Sequence, residues 1–70
     1  MRLNERVKQL LMELLLKGYI VGFDEEVVSG RVNVYVRRLE DVKLYNLREE
    51  IEGVKINYVE VGEVSLLTPS

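Results

Sequence analysis

Carboxylates, arginines and tyrosines are the residues with chemical reach in this chain; it has no histidine and no cysteine. That absence removes imidazole and thiolate metal sites and disulfides. It also removes the side chain most used for proton transfer near neutral pH. Ser29 and Ser65 therefore have no histidine base, and no Ser-x-x-Lys, P-loop or G-x-G-x-x-G spacing occurs. Asp24, Glu25 and Glu26 form an acidic cluster that could attract a hard cation. An EF-hand loop needs more ligands at alternate positions and an internal glycine, so the cluster reads as a solvated loop. Glu49, Glu50 and Glu52 fall near the start of a candidate helix, where acids suit the dipole. No catalytic residue, metal site or cofactor is expected, and the chain does not read as an enzyme.

The stretch Ser29–Arg38 carries the other chemistry. Val32, Val34 and Val36 fall on every second residue, with Arg31, Asn33, Tyr35 and Arg37 between them. Such alternation gives a strand with one core face and one polar face. Arginines beside an aromatic ring can hold a phosphate backbone and stack a base, so Arg31, Asn33, Tyr35, Arg37 and Arg38 form a candidate nucleic-acid surface. The competing reading is the wet side of a sheet. Asp24 and Glu26 are expected across from Tyr35 and Asn33, where opposite charges stabilise strand pairing and cancel the field a polyanion needs.

The elements that must position these residues follow from periodicity. Leu3, Val7, Leu10, Leu11, Leu14 and Leu15 recur at spacings of three and four, which predicts a helix from Asn4 as N-cap to Gly18 as terminator. Residues 19–39 predict a β-hairpin about a Ser29-Gly30 turn, with Val28 facing Arg31 and Phe23 facing Val36. That register puts Glu25 on the buried face, so a bulge or wider loop is expected near Asp24–Glu26. Leu44, Leu47 and Ile51 predict a second helix whose regular part begins near Leu47, with Asn46 as cap and Gly53 as end. Residues 54–67 predict a third strand, with an apolar phase that slips near Tyr58.

The order is α-β-β-α-β, a single α+β domain over residues 1–70. A helical link between the last two strands makes them parallel with a right-handed crossover. The expected sheet order is 2-1-3, with both helices on one face, close to half a ferredoxin-like fold.

Composition bounds the partners. The formal net charge is −2, which gives no long-range pull toward nucleic acid or an acidic membrane. The longest apolar run, Leu14–Leu16, is far short of a membrane span, and no secretory leader is read at the N-terminus. A cysteine-free chain agrees with a reducing cytoplasm, and its Glu, Lys and Arg richness resembles thermophile composition. Seventy residues bury only about 60% of the unfolded surface, so a partner subunit is a natural supplement. Met12 and Leu16 lie off the main helical stripe, and Ile20, Val28 and Tyr35 are expected on the uncovered sheet face. Leu66 and Leu67 lie in an apolar stretch near the C-terminus. These seven are the candidate contacts of a homodimer or of another protein partner.

From Gly18 onward the chain resembles the segment preceding the protease domain in some bacterial trypsin-like proteins. The matching stretches are "GYIVGF", "VNVYVRR", "EEIEGVKI" and "YVEVGEV". The resemblance implies a small accessory module. It carries over no catalytic residue, because the matched part contains none.

Overall fold

A computed structural model describes residues 2–62 of the chain. The first helix, α1 (Glu5–Lys17), is fixed at both ends as its sequence requires. The Asn4 side chain accepts the Val7 N–H at 2.9 Å, which satisfies one orphan donor of the first turn. Gly18, at φ 82°, takes the left-handed conformation that ends the helix. Its N–H donates to the Leu15 carbonyl and the Tyr19 N–H to the Leu14 carbonyl, both at 3.0 Å, the paired bonds of a Schellman end. Val7 and Leu11 are fully buried, with Leu3, Leu14 and Leu15 packed beside them.

Strand β1 (Gly22–Phe23) pairs antiparallel with β2 (Arg31–Val36). The Ser29-Gly30 turn forms as expected, with φ of 54° and 75°. Val28 and Arg31 close it by exchanging two N–H···O bonds of 2.9 and 3.0 Å. Beyond it the register departs from the simple hairpin: Phe23 stands opposite Val34, not Val36. Residues 24–27 thus span a stretch that residues 32–33 cover on the partner strand, and the extra length loops out. This is the irregularity expected around Asp24–Glu26, and it keeps Glu25 exposed. The N-terminal residues tie the loop down, with Arg2 bridged to Glu26 and the Leu3 N–H donating to the Glu25 carbonyl at 2.9 Å.

The expected second helix is two elements. Helix α2 (Glu40–Leu44) is short and buries no residue fully. Asn46 does not cap a new helix. It sits at φ 53° just past the end of α2, and asparagine tolerates that left-handed position better than most residues. Its N–H donates to the Lys43 carbonyl, and the Leu47 N–H donates to the Val42 carbonyl at 2.8 Å, so α2 also ends in a Schellman motif. Leu47 is buried by this reversal. Ile51 then belongs to a two-residue strand, β3 (Glu50–Ile51), joined to β4 (Val54–Glu60) by Glu52-Gly53. Both turn residues have positive φ, 52° and 81°, the geometry of a type I′ hairpin turn.

Strands β2 and β4 are parallel neighbours, from Arg31↔Lys55 to Val36↔Glu60. The parallel relation and the crossover through a helix match expectation. The order does not: the sheet has four strands, arranged β1-β2-β4-β3, and β2 rather than β1 occupies the interior beside β4. The parallel pair is therefore adjacent and not split, which removes the half-ferredoxin arrangement. The physical reason is length. Two residues of β1 cannot pair along both sides of a sheet, whereas the six residues of β2 match β4 throughout.

The slip of apolar phase near Tyr58 produces no bulge, and β4 stays in register with β2 through that residue. Strand β4 alternates regularly: Val54, Ile56 and Tyr58 pack on the core, and the intervening residues face away. One core results, made by Val7, Leu11, Ile20, Val32, Val34, Val36, Leu47, Ile51 and Ile56. Helix α1 and Val42 of α2 pack against that cluster, so the helical elements share one face of the sheet.

Candidate interaction surfaces

The sheet face that no described helix covers, called the uncovered face below, is a grid read from the strand register. One row runs Val28–Arg31–Lys55–Glu50, and the next centres on Asn33–Asn57 beside Asp24. A third runs Gly22–Tyr35–Val59. Hydrogen bonds join the middle of this face. Asn57 Nδ2 donates to Asn33 Oδ1 at 2.9 Å, and Asn33 Nδ2 donates to Asp24 Oδ2 at 3.2 Å. The Tyr35 hydroxyl lies 3.0 Å from both Asp24 carboxylate oxygens. Asp24 is thus the acceptor on which the face converges. Its hydrogen bond holds the Tyr35 phenol above the usual tyrosine range, aided by desolvation and the carboxylate charge.

An open groove of ≈ 560 Å³ crosses this face, lined by Asp24, Glu25, Glu26, Val28, Arg31, Asn33 and Asn57. Among the described residues no group of three or more His, Cys, Asp or Glu is arranged to hold a metal ion. Of the nucleic-acid candidates, Arg31, Asn33 and Tyr35 do share the face. Asn33 and Tyr35 are committed to Asp24, and Arg37 and Arg38 lie past the end of β2. Arg31 and Lys55 stand directly across from each other, a like-charge pair relieved by Glu50 on the far side of Lys55.

The residues expected at a subunit contact are scattered. Ile20 is 2% exposed and belongs to the core, because the chain leaves the Gly18 terminator turning under the sheet; it is not a surface contact. Met12 and Leu16, 41% and 81% exposed, lie on the outside of α1. Val28 and Tyr35 lie on the opposite side of the molecule, on the uncovered sheet face. Leu66 and Leu67 lie outside the described residues. The five described residues therefore do not form one patch.

Two features were not anticipated. A groove of ≈ 290 Å³ runs between α1 and the crossover, lined by Leu10, Leu14, Tyr45, Leu47 and Ile51 with Glu13 and Arg48 at its rim. Tyr45 also stacks on Tyr19, with centroids 4.2 Å apart and planes 9° from parallel. The second feature is the outer edge of β4. Strand β3 pairs with β4 only at Val54 and Lys55, and the Ile56 N–H donates to the Glu49 carbonyl at 2.8 Å. The Lys55 and Val61 N–H groups point inward to β2, so those of Tyr58 and Glu60 point outward by the strand's alternation. Among the described residues no strand pairs with them there.

The crossover runs beside this edge. The Tyr58 hydroxyl donates to the Arg48 carbonyl, and the Leu39 N–H donates to the Glu60 carboxylate at 3.4 Å. Burial, with Glu49 nearby, pushes the Tyr58 phenol up to about 12. Leu39 and Leu44 are exposed on the same crossover. Alternation in "VKINYVE" carries the signal for a strand, but strand neighbours decide which of its edges is open.

No family model, curated protein or solved structure matches the chain. Among the described residues no helix is long and apolar enough to cross a membrane.

Proposed function

We propose that this chain is a small protein-interaction module that self-associates, in its simplest form as a homodimer, and has no catalytic activity of its own. The observation that carries the reading is the open outer edge of β4 at Tyr58–Glu60, with exposed Leu39 held beside Glu60 and Leu44 exposed further along the same crossover. Unpaired strand edges recruit other strands, and the apolar residues beside it add area that a small core leaves uncovered. Sedimentation velocity from 5 to 500 µM (about two decades, chosen to bracket a weak interface) tests it. The mass is expected to rise from 8.2 kDa toward twice that value. A single 8.2 kDa species over the whole range overturns the reading.

Arg31 beside Lys55 supports a second reading, nucleic-acid binding through the uncovered face. Against it stand Asp24, Glu25 and Glu26 along the same groove. A gel shift with single-stranded RNA and DNA at low salt separates the two. Binding lost in Arg31→Glu favours this reading, and no shift ends it.

A further inference from the structure

The occupant of the β4 edge is a second copy of β4, and we infer that the two strands pair antiparallel about a two-fold axis at Val59. This rests on the self-association proposed above and names its site. The edge is short. Below it, the Ile56 N–H is already taken by the Glu49 carbonyl; above it, Gly62 at φ 69° turns the chain out of strand geometry. Only Tyr58, Val59 and Glu60 remain, with the outward groups of Tyr58 and Glu60 on either side of Val59.

That three-residue pattern is its own complement. Rotated about Val59, Tyr58 of one copy meets Glu60 of the other, and both pairs exchange N–H···O bonds. Four backbone bonds form, all from groups that no described strand pairs. Opposite side chains in an antiparallel pair share a face, and the register respects this: Tyr58 and Glu60 are on the core side, and Val59 meets Val59 on the other. No like charges meet, since each Glu60 faces a tyrosine. Leu39, held beside Glu60 by its amide, is carried toward Tyr58 of the second copy and supplies apolar cover. The product is a continuous sheet ordered β1-β2-β4-β4-β2-β1 across the junction, with each short β3 beside it on the same edge of its own β4 and helices on one side.

The chain has no cysteine, so a single Val59→Cys reads the contact directly. Residues opposed at a non-hydrogen-bonded antiparallel position have Cα atoms about 4.5 Å apart, within disulfide range. Under mild oxidation Val59→Cys is expected to cross-link in majority yield, while Ser29→Cys, in the distant β1–β2 turn, does not. Val59→Lys and Val59→Glu are each expected to sediment as monomers with an unchanged circular-dichroism spectrum, and an equimolar mixture to recover the dimer mass. Suppose wild type dimerises, Val59→Cys stays uncross-linked, and both charged variants still dimerise. The edge pairing is then overturned and self-association stands. Monomeric wild type overturns both, including where another protein or another segment of the chain fills the edge.

Discussion

Tyr58 joins the core to the edge of the sheet through one phenol. Its ring is half-buried on the core side, and its hydroxyl donates to the Arg48 carbonyl, which fixes the crossover against β4. Burial holds the proton to about 12 in the folded chain, against about 10 in an unfolded one. The sign follows: the folded-state phenol is raised, so its contribution is complete below pH ~10 and is lost as the pH climbs through the folded value. The magnitude is about 1 kcal/mol once solvent screening at a partly exposed ring is allowed for. Tyr58→Phe removes both the bond and the titration. At pH 8 it is expected to cost about 1 kcal/mol, and the gap to wild type should close between pH 10 and 12. Urea denaturation at several pH values checks this. A gap that stays constant would mean the phenol does not titrate differently in the two states.

At the scale of elements, the turns hold the clearest reserve of stability. Ser29 and Glu52 are the first residues of the two hairpin turns and occupy left-handed φ of 54° and 52°. Side chains other than Asn, Asp and Gly pay for that conformation. Glu52 gives little back, since its bond to Arg6 at 3.2 Å lies between exposed side chains, and such pairs are worth little. Ser29→Asn and Glu52→Asn are each expected to raise stability by about 0.5 kcal/mol, and to act additively because they lie in separate turns. Thermal melts of the single and double variants test both claims, and a destabilised Glu52→Asn would show that the Arg6 bond outweighs the backbone strain.

The same turns show what was legible from residue order. Asn4 and Gly18 bound α1 by local chemistry, and Ser29-Gly30 forms a local turn, so each was readable where it stands. Glu52-Gly53 is an equally local turn, flanked by Ile51 and Val54 at strand spacing. It was hidden because Leu44, Leu47 and Ile51 also fit a helical period. The left-handed Asn46 decides between the two periods, and asparagine is common both as a helix cap and as a helix terminator.

At the scale of the whole molecule, what could not be read is who neighbours whom. Alternation in β2 and β4 announces two strands with a core face each, and it says nothing of which lies inside the sheet. That choice came from matching lengths across the sheet. It moved Ile20 into the core, separated Met12 and Leu16 from Val28 and Tyr35, and turned one edge of β4 outward. Asp24 shows the same limit on a smaller scale. Its position in the looped-out segment was foreseeable, whereas its role as common acceptor for Asn33 and Tyr35 depends on the two-residue register offset.

An interface that closes the β4 edge also ties folding to concentration. A dimer unfolding to two chains is stabilised by mass action, by about 0.7 kcal/mol per protomer for each tenfold rise in concentration above the dissociation constant. For a domain of this size 1 kcal/mol moves the melting temperature by about 4–8 °C. Raising the concentration a hundredfold, from well above that constant, is therefore expected to lift the wild-type melt by about 5–10 °C. Val59→Lys should melt at the temperature of dilute wild type and show no such rise, because a lysine facing its own copy across the two-fold repels it. The comparison separates association from an ordinary loss of packing. A variant that merely loosened the fold would melt lower at every concentration and keep the slope, whereas one that opens the edge loses the slope itself.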